Sequence, residues 1–246
     1  MSGVRSSPQT GKDDIYGTAG MTGYRIRAGA FGSTGVHPPL VFAGQRIGIM
    51  GGSFNPPHDG HRIVAETAVK RLQLDQLWWV VTPGNPLKAN GALPTQAARM
   101  QACAAFARGP KMKITGFEAE LGTPFTAATL AFLKTRYRGV HFVWVMGADN
   151  LASFEHWQHW RQIAAQMPIA VVDRPKWRFR ALARKAAQVM APNRIDEALA
   201  ARLPSLAAPA FVFLTSRLSA LSSTALRAKT SGSSHFKSSM GPTKNN

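Results

Sequence analysis

Cysteine is almost absent from this chain. One residue, Cys103, among 246 excludes an internal disulfide framework and any multi-cysteine metal site, and it suits a reducing compartment. Long apolar runs are absent as well. None approaches the roughly 18 residues that a membrane helix requires, and the first forty residues lack the continuous apolar core of a secretory signal, so a cytoplasmic protein without a membrane partner is expected. Acidic residues are scarce. Twelve Asp and Glu stand against thirty Lys and Arg, a net charge of +18 at pH 7 and a sequence pI near 11.2, so the surrounding field attracts anions such as nucleotides, nucleic acids or acidic surfaces.

What is present is enough apolar surface for a core. At 45% hydrophobic and 17% charged, the chain suits one sizeable α/β domain or two small ones. Residues 1–43 and 230–246 are rich in Gly, Ser, Thr and Pro with little apolar periodicity, so a disordered arm and tail are expected around a folded domain at 44–229. Between 44 and 227 the net charge is still +13, which places the positive field on the folded body. There, short apolar runs alternate with amphipathic stretches, the pattern of βαβ units around a parallel sheet. Strands are expected at 46–50, 77–82, 112–115, 141–146, 169–172 and 210–214. Helices are expected at 60–72, 95–107, 126–136, 157–166 and 178–190. Ligands of such sheets sit beyond the carboxyl ends of the strands.

Immediately after the first strand comes Gly51-Gly52-Ser53-Phe54-Asn55-Pro56-Pro57-His58-Asp59-Gly60-His61. The glycines let backbone approach a phosphate, the prolines stiffen the turn, and the helix that follows presents unpaired N–H groups and a positive dipole end. His58 and His61, three apart, fall on one side of a helical turn. Two imidazoles beside a phosphate can donate hydrogen bonds to charge that develops on phosphoryl oxygens. Either histidine alone reads equally well as a surface residue; the strand before and the helix after make the string specific. No acidic or cysteine partner stands at zinc spacing.

Three further segments carry candidate ligand-binding chemistry. In Leu221-Ser222-Ser223-Thr224-Ala225-Leu226-Arg227, a serine N-cap, hydroxyls and a guanidinium one turn on suit an oxyanion, although a solvated helix start would look the same. Trp78-Trp79-Val80-Val81-Thr82-Pro83-Gly84-Asn85-Pro86-Leu87-Lys88 ends a strand in a loop whose lysine suits a second anionic substrate, with both tryptophans at strand positions and therefore in the core. Met146-Gly147-Ala148-Asp149-Asn150 is followed by Trp157 and Trp160 at spacings that suit a short helical segment.

The loop at 51–61 resembles the GxFxPxHxGH turn of the HxGH nucleotidyltransferases, with Ser53 and Asn55 where Thr and Asp are frequent. Residues 221–227 resemble the family's ISSTxIR segment. The WWxVxPxNPLK loop, the GxDN segment and the tryptophan eight residues beyond Asp149 are similar to those of its nicotinate-nucleotide adenylyltransferases. The resemblance covers 45–229 and implies a Rossmann-like open parallel sheet with helices on both faces. It implies catalysis by His58, His61 and Arg227, and ATP binding by these with Gly51, Gly52, Ser53, Phe54, Ser222, Ser223 and Thr224. Nicotinate mononucleotide is implied to meet Thr82, Lys88, Thr123, Asp149 and Trp157; Gln158 and Phe125 replace an aromatic residue and a tyrosine common in relatives. The implied reaction is attack of the mononucleotide phosphate on the α-phosphorus of ATP, giving nicotinate adenine dinucleotide and pyrophosphate. Mg²⁺ is expected on the phosphate oxygens and water, since few protein carboxylates are at hand. Two other readings remain open: phosphopantetheine adenylyl transfer on the same loop, and nucleic-acid binding through the seven basic residues between Arg174 and Arg194.

Overall fold

The computed structural model describes residues 37–84, 93–121 and 125–216. Six strands, β1 (Arg46–Gly52), β2 (Gln76–Val81), β3 (Met112–Thr115), β4 (His141–Gly147), β5 (Ile169–Val172) and β6 (Phe211–Leu214), form one sheet in the order β3-β2-β1-β4-β5-β6. Every pairing is parallel. The strands grow outward from β1 in one direction and, after β3, resume at β4 on its other side. The connections at the carboxyl ends of β1 and β4 therefore diverge and leave a crevice between them.

Alternation along each strand divides the core into two layers. Ile47, Ile49, Trp78, Val80, Trp144 and Met146 face one way. Met50, Leu77, Trp79, Val81, Val143 and Val145 face the other. The first layer is covered by α3 (Thr126–Arg136), α4 (Ala148–Leu151), α5 (Trp160–Gln166), α6 (Arg178–Leu182) and α7 (Lys185–Met190). The second is covered by α1 (Asp59–Arg71), α2 (Gln96–Phe106) and a 3-10 segment at Glu197–Ser205. Strands buried on both faces read as continuous apolar runs, which is why all six stand within two residues of their expected bounds. Trp78 and Trp79 are both fully buried, and so is Cys103, whose thiol burial pushes up to about 12.

Two expected helices are broken. Over 157–166, His159 adopts a left-handed conformation (φ 57°), so α5 starts only at Trp160, after a 3-10 turn at Phe154–His156. Over 178–190, Arg184 is extended and caps α7, because Glu155 holds both the Arg184 guanidinium (2.7 Å) and the Ala186 amide (3.4 Å). Intrinsic helix preference yields there to a tertiary ion pair. Ahead of β1, the carbonyls of His37 and Leu40 accept from Thr115 Oγ1 and Gln76 Nε2. Among the described residues, no helix is long and apolar enough to cross a membrane.

Candidate active site at the β1–β4 crevice

The turn after β1 is built around aromatic rings. A β carbon on Gly51 would stand 2.7 Å from Trp144 Cη2, and one on Gly52 would stand 3.2 Å from the Phe54 ring. These glycines thus admit two side chains as well as a close backbone approach. Phe54 is buried in a left-handed conformation (φ 45°), a cost of about 1–3 kcal/mol for a bulky residue. Its ring is held 5.0 Å from both Trp79 and His61.

His58 occupies the N-cap of α1 in an extended conformation, so the positive end of the helix opens onto the crevice. The two imidazoles stack with centroids 3.8 Å apart. The His58 backbone N–H donates to His61 Nδ1 (3.3 Å), which leaves the ring proton of His61 on Nε2. His58 is buried, and burial, reinforced by the charge of Arg174, lowers its pKa to about 4 against the pull of Asp149 and Asp59. The ring is therefore neutral at pH 7 and offers hydrogen bonds rather than charge.

The charge comes from β5. Arg174, just past that strand and buried, brings its guanidinium across Gly60, where a β carbon would meet Nη1 at 2.8 Å. Its Nε lies 3.9 Å from Asp149 Oδ1 at the start of α4. Asp149 Oδ1 in turn occupies the space that a β carbon on Gly147 would need. Two buried polar atoms here, Thr82 Oγ1 and Asp149 Oδ1, make no hydrogen bond among the described residues. Buried polar atoms without partners are uncommon, and beside a helix N-terminus they suit a ligand or water.

The structure thus places Gly51, Gly52, Ser53, Phe54, His58 and His61 on one turn, with Asp149 at the neighbouring strand end. Thr82 joins them because its N–H donates to the Gly52 carbonyl (3.0 Å). Trp157 is half-buried and meets Trp144 edge to face (6.2 Å), one ring away from Gly51. Trp160 packs on Phe154 in the core. Lys88, Thr123, Ser222, Ser223, Thr224 and Arg227 lie outside the described residues.

The cytidylyltransferase-like family matches residues 49–229. A "Probable nicotinate-nucleotide adenylyltransferase" of Bradyrhizobium sp. (strain ORS 278) is 54% identical over 183 residues, covering 74% of this chain and 95% of the relative. One of the same name from Rhizobium meliloti (strain 1021) is 52% identical, covering 76% and 99%. The chain belongs to the nicotinate-nucleotide adenylyltransferases. Among solved structures, Plasmodium falciparum nicotinic acid mononucleotide adenylyltransferase complexed with APC shares the fold, with a TM-score of 0.55 at 16% identity over 75% of this chain and 83% of that one.

In this member of the nicotinate-nucleotide adenylyltransferases, sequence reasoning missed Arg174. It stands at the head of the basic run and looked like one of seven solvated cations. The run is not one continuous face: Arg178 pairs with Asp173 (2.7 Å), Arg184 pairs with Glu155, and Arg194 lies over the Phe211 and Phe213 rings. The one available signal was its position, directly after an apolar strand, where ligands of parallel sheets gather.

Proposed function

We propose that this site transfers AMP from ATP to nicotinate mononucleotide in the cytoplasm. A phosphate oxygen of the mononucleotide forms a bond to the α-phosphorus, the bond to the bridging oxygen breaks, and pyrophosphate leaves with that electron pair. The product is nicotinate adenine dinucleotide, a step of NAD biosynthesis. The observation that carries the reading is the stacked His58–His61 pair at the N-terminus of α1, with the Arg174 guanidinium beside it.

The attacking phosphate is already ionised near pH 7, so no base is needed and the residues act by position and charge. The α1 dipole and Arg174 attract the anions, and His61 Nε2–H donates to phosphoryl oxygens as their charge rises. His58 stays neutral, so it donates without competing for the phosphates' counter-charge. Thr82 Oγ1, without a hydrogen-bond partner among the described residues, and Asp149 suit the polar groups of the mononucleotide, and Trp157 suits its ring. Lys88, Thr123, Ser222, Ser223, Thr224 and Arg227 join the assignment on the resemblance alone.

We infer that magnesium would arrive with ATP, because Asp149, a carboxylate at the crevice, is opposed by Arg174. Carried on the triphosphate, such an ion would supply neutralisation of charge on the leaving group.

Pyrophosphate release from ATP, measured with nicotinate mononucleotide, nicotinamide mononucleotide and phosphopantetheine in turn, tests the proposal. Release with the nicotinate form and chromatographic recovery of the dinucleotide are expected. Release only with phosphopantetheine, or with none, overturns it.

A further inference from the structure

Arg99, in the first turn of α2, is 2% exposed, yet its hydrogen bonds run to four backbone carbonyls rather than to a carboxylate. Nη1 donates to Ser53 O (2.8 Å). Nη2 donates to Thr82 O (2.8 Å) and Pro83 O (3.2 Å). Nε donates to Pro94 O (3.0 Å) at the entrance to its own helix. Ser53 belongs to the turn after β1, and Thr82 and Pro83 belong to the loop after β2. One planar cation therefore fastens the turn assigned to ATP to the loop assigned to the mononucleotide. Gln96, one turn earlier, extends the same fastening, with Nε2 donating to Val81 O (2.6 Å) and Gly116 O (3.2 Å).

Within a trans peptide the carbonyl and the following N–H point in opposite directions. Holding Ser53 O and Pro83 O against a buried guanidinium consequently turns the Phe54 and Gly84 amides away from that guanidinium. We propose that Arg99 is a positioning residue that sets the distance between the two substrate loops and aims their amides. The proposal rests on the adenylyl-transfer reading above and extends it to a residue that touches neither substrate.

A guanidinium suits the task because its fixed fork reaches three directions at once. A lysine ammonium is a point donor on a flexible stem and cannot span the same carbonyls. In-line attack is sensitive to such spacing, since a misplacement of about 1 Å from a remote change can slow a reaction by roughly a hundredfold.

The experiment compares Arg99→Lys with Thr95→Ala. Thr95 caps α2 by accepting from the Ala98 amide (3.2 Å), so Thr95→Ala weakens the same helix and leaves the four carbonyls bonded. Initial rates are taken against both substrates at a temperature where circular dichroism shows each variant folded. Arg99→Lys is expected to raise KM for ATP and for the mononucleotide about tenfold each and to lower kcat, while Thr95→Ala keeps both KM values within about twofold at a comparable loss of Tm. Wild-type constants in Arg99→Lys, or equal changes in the two variants, overturn the proposal. Should Arg99→Lys fail to fold, amide exchange in the wild-type protein decides: an ATP analogue alone is expected to slow exchange at 82–84 as well as at 51–61, and slowing confined to 51–61 overturns the coupling. A wild-type protein that makes no dinucleotide refutes the reaction itself, a result separate from either outcome.

Discussion

The Arg174 guanidinium lies where a side chain on Gly60 would go: a β carbon there would stand 2.8 Å from Nη1 and 2.9 Å from Cζ. The glycine between the two histidines is thus room for a cation that arrives from a different strand. Gly60→Ala is expected to push Arg174 out of place and to lower kcat/KM by about 10- to 100-fold, with Tm changing by only a few degrees. Steady-state rates alongside thermal unfolding check this; an active Gly60→Ala enzyme would refute the assignment of Arg174 to the site.

His58 sets an acid limit on stability. Its pKa is about 4 in the folded protein against an ordinary value of 6.5. Below pH 6.5 the unfolded chain takes up a proton that the folded ring refuses, so its contribution is complete above that pH and is lost as pH falls toward 4. The loss is on the order of 2–3 kcal/mol. In urea unfolding at pH 7.5 and pH 4.5, the wild-type protein should lose this much more stability than His58→Asn, which carries no titrating group. Identical losses would show that the ring is not buried in its neutral form.

Glu118 acts in the opposite direction. Its carboxyl is buried, accepts from Thr129 Oγ1 (2.8 Å) through one oxygen, and leaves the other without a hydrogen-bond partner among the described residues. Burial raises its pKa to about 7, only partly offset by Thr129. A raised carboxyl pKa means that the unfolded chain ionises first, so stability declines as pH rises from 4.5 to 7. Glu118→Gln keeps an acceptor for Thr129 and removes the ionisation. It should therefore stabilise by about 1–3 kcal/mol at pH 8 and by almost nothing near pH 4, as read by chemical denaturation at both values.

His61→Ala should lower kcat by at least about a hundredfold while changing the Kd for ATP only a few-fold, because its Nε2–H is assigned to charge that grows in the transition state. Isothermal titration with a non-hydrolysable ATP analogue, set beside single-turnover rates, separates the two effects. Unchanged turnover in a folded His61→Ala protein would remove the histidine from the reaction.

The parts of the site legible in the sequence are those carried by contiguous residues. The turn at 51–61 was readable because glycine, proline and paired histidines follow one apolar strand and open one helix. Thr82 and Asp149 were readable through the family resemblance, because each lies just past a strand within a short segment that carries it. Arg174 and Arg99 were not. The first begins a run of cations whose other members are engaged elsewhere or exposed, and the second sits in Gln96–Phe106 with nothing nearby to mark it as buried. Glu118 likewise looks like a surface acid until the fold closes over it.

The sequence by itself determined the strand positions, the two-layer core and the glycine- and histidine-bearing turn, because apolar periodicity and turn chemistry act over a few residues at a time. Only the tertiary structure decided which cation stands beside that turn, where α5 and α7 begin, and how the loops after β1 and β2 are fastened together. Those outcomes depend on burial and on contacts between residues 17 to 46 positions apart at Arg99, and distances of that kind exist only once the sheet has brought its carboxyl ends side by side.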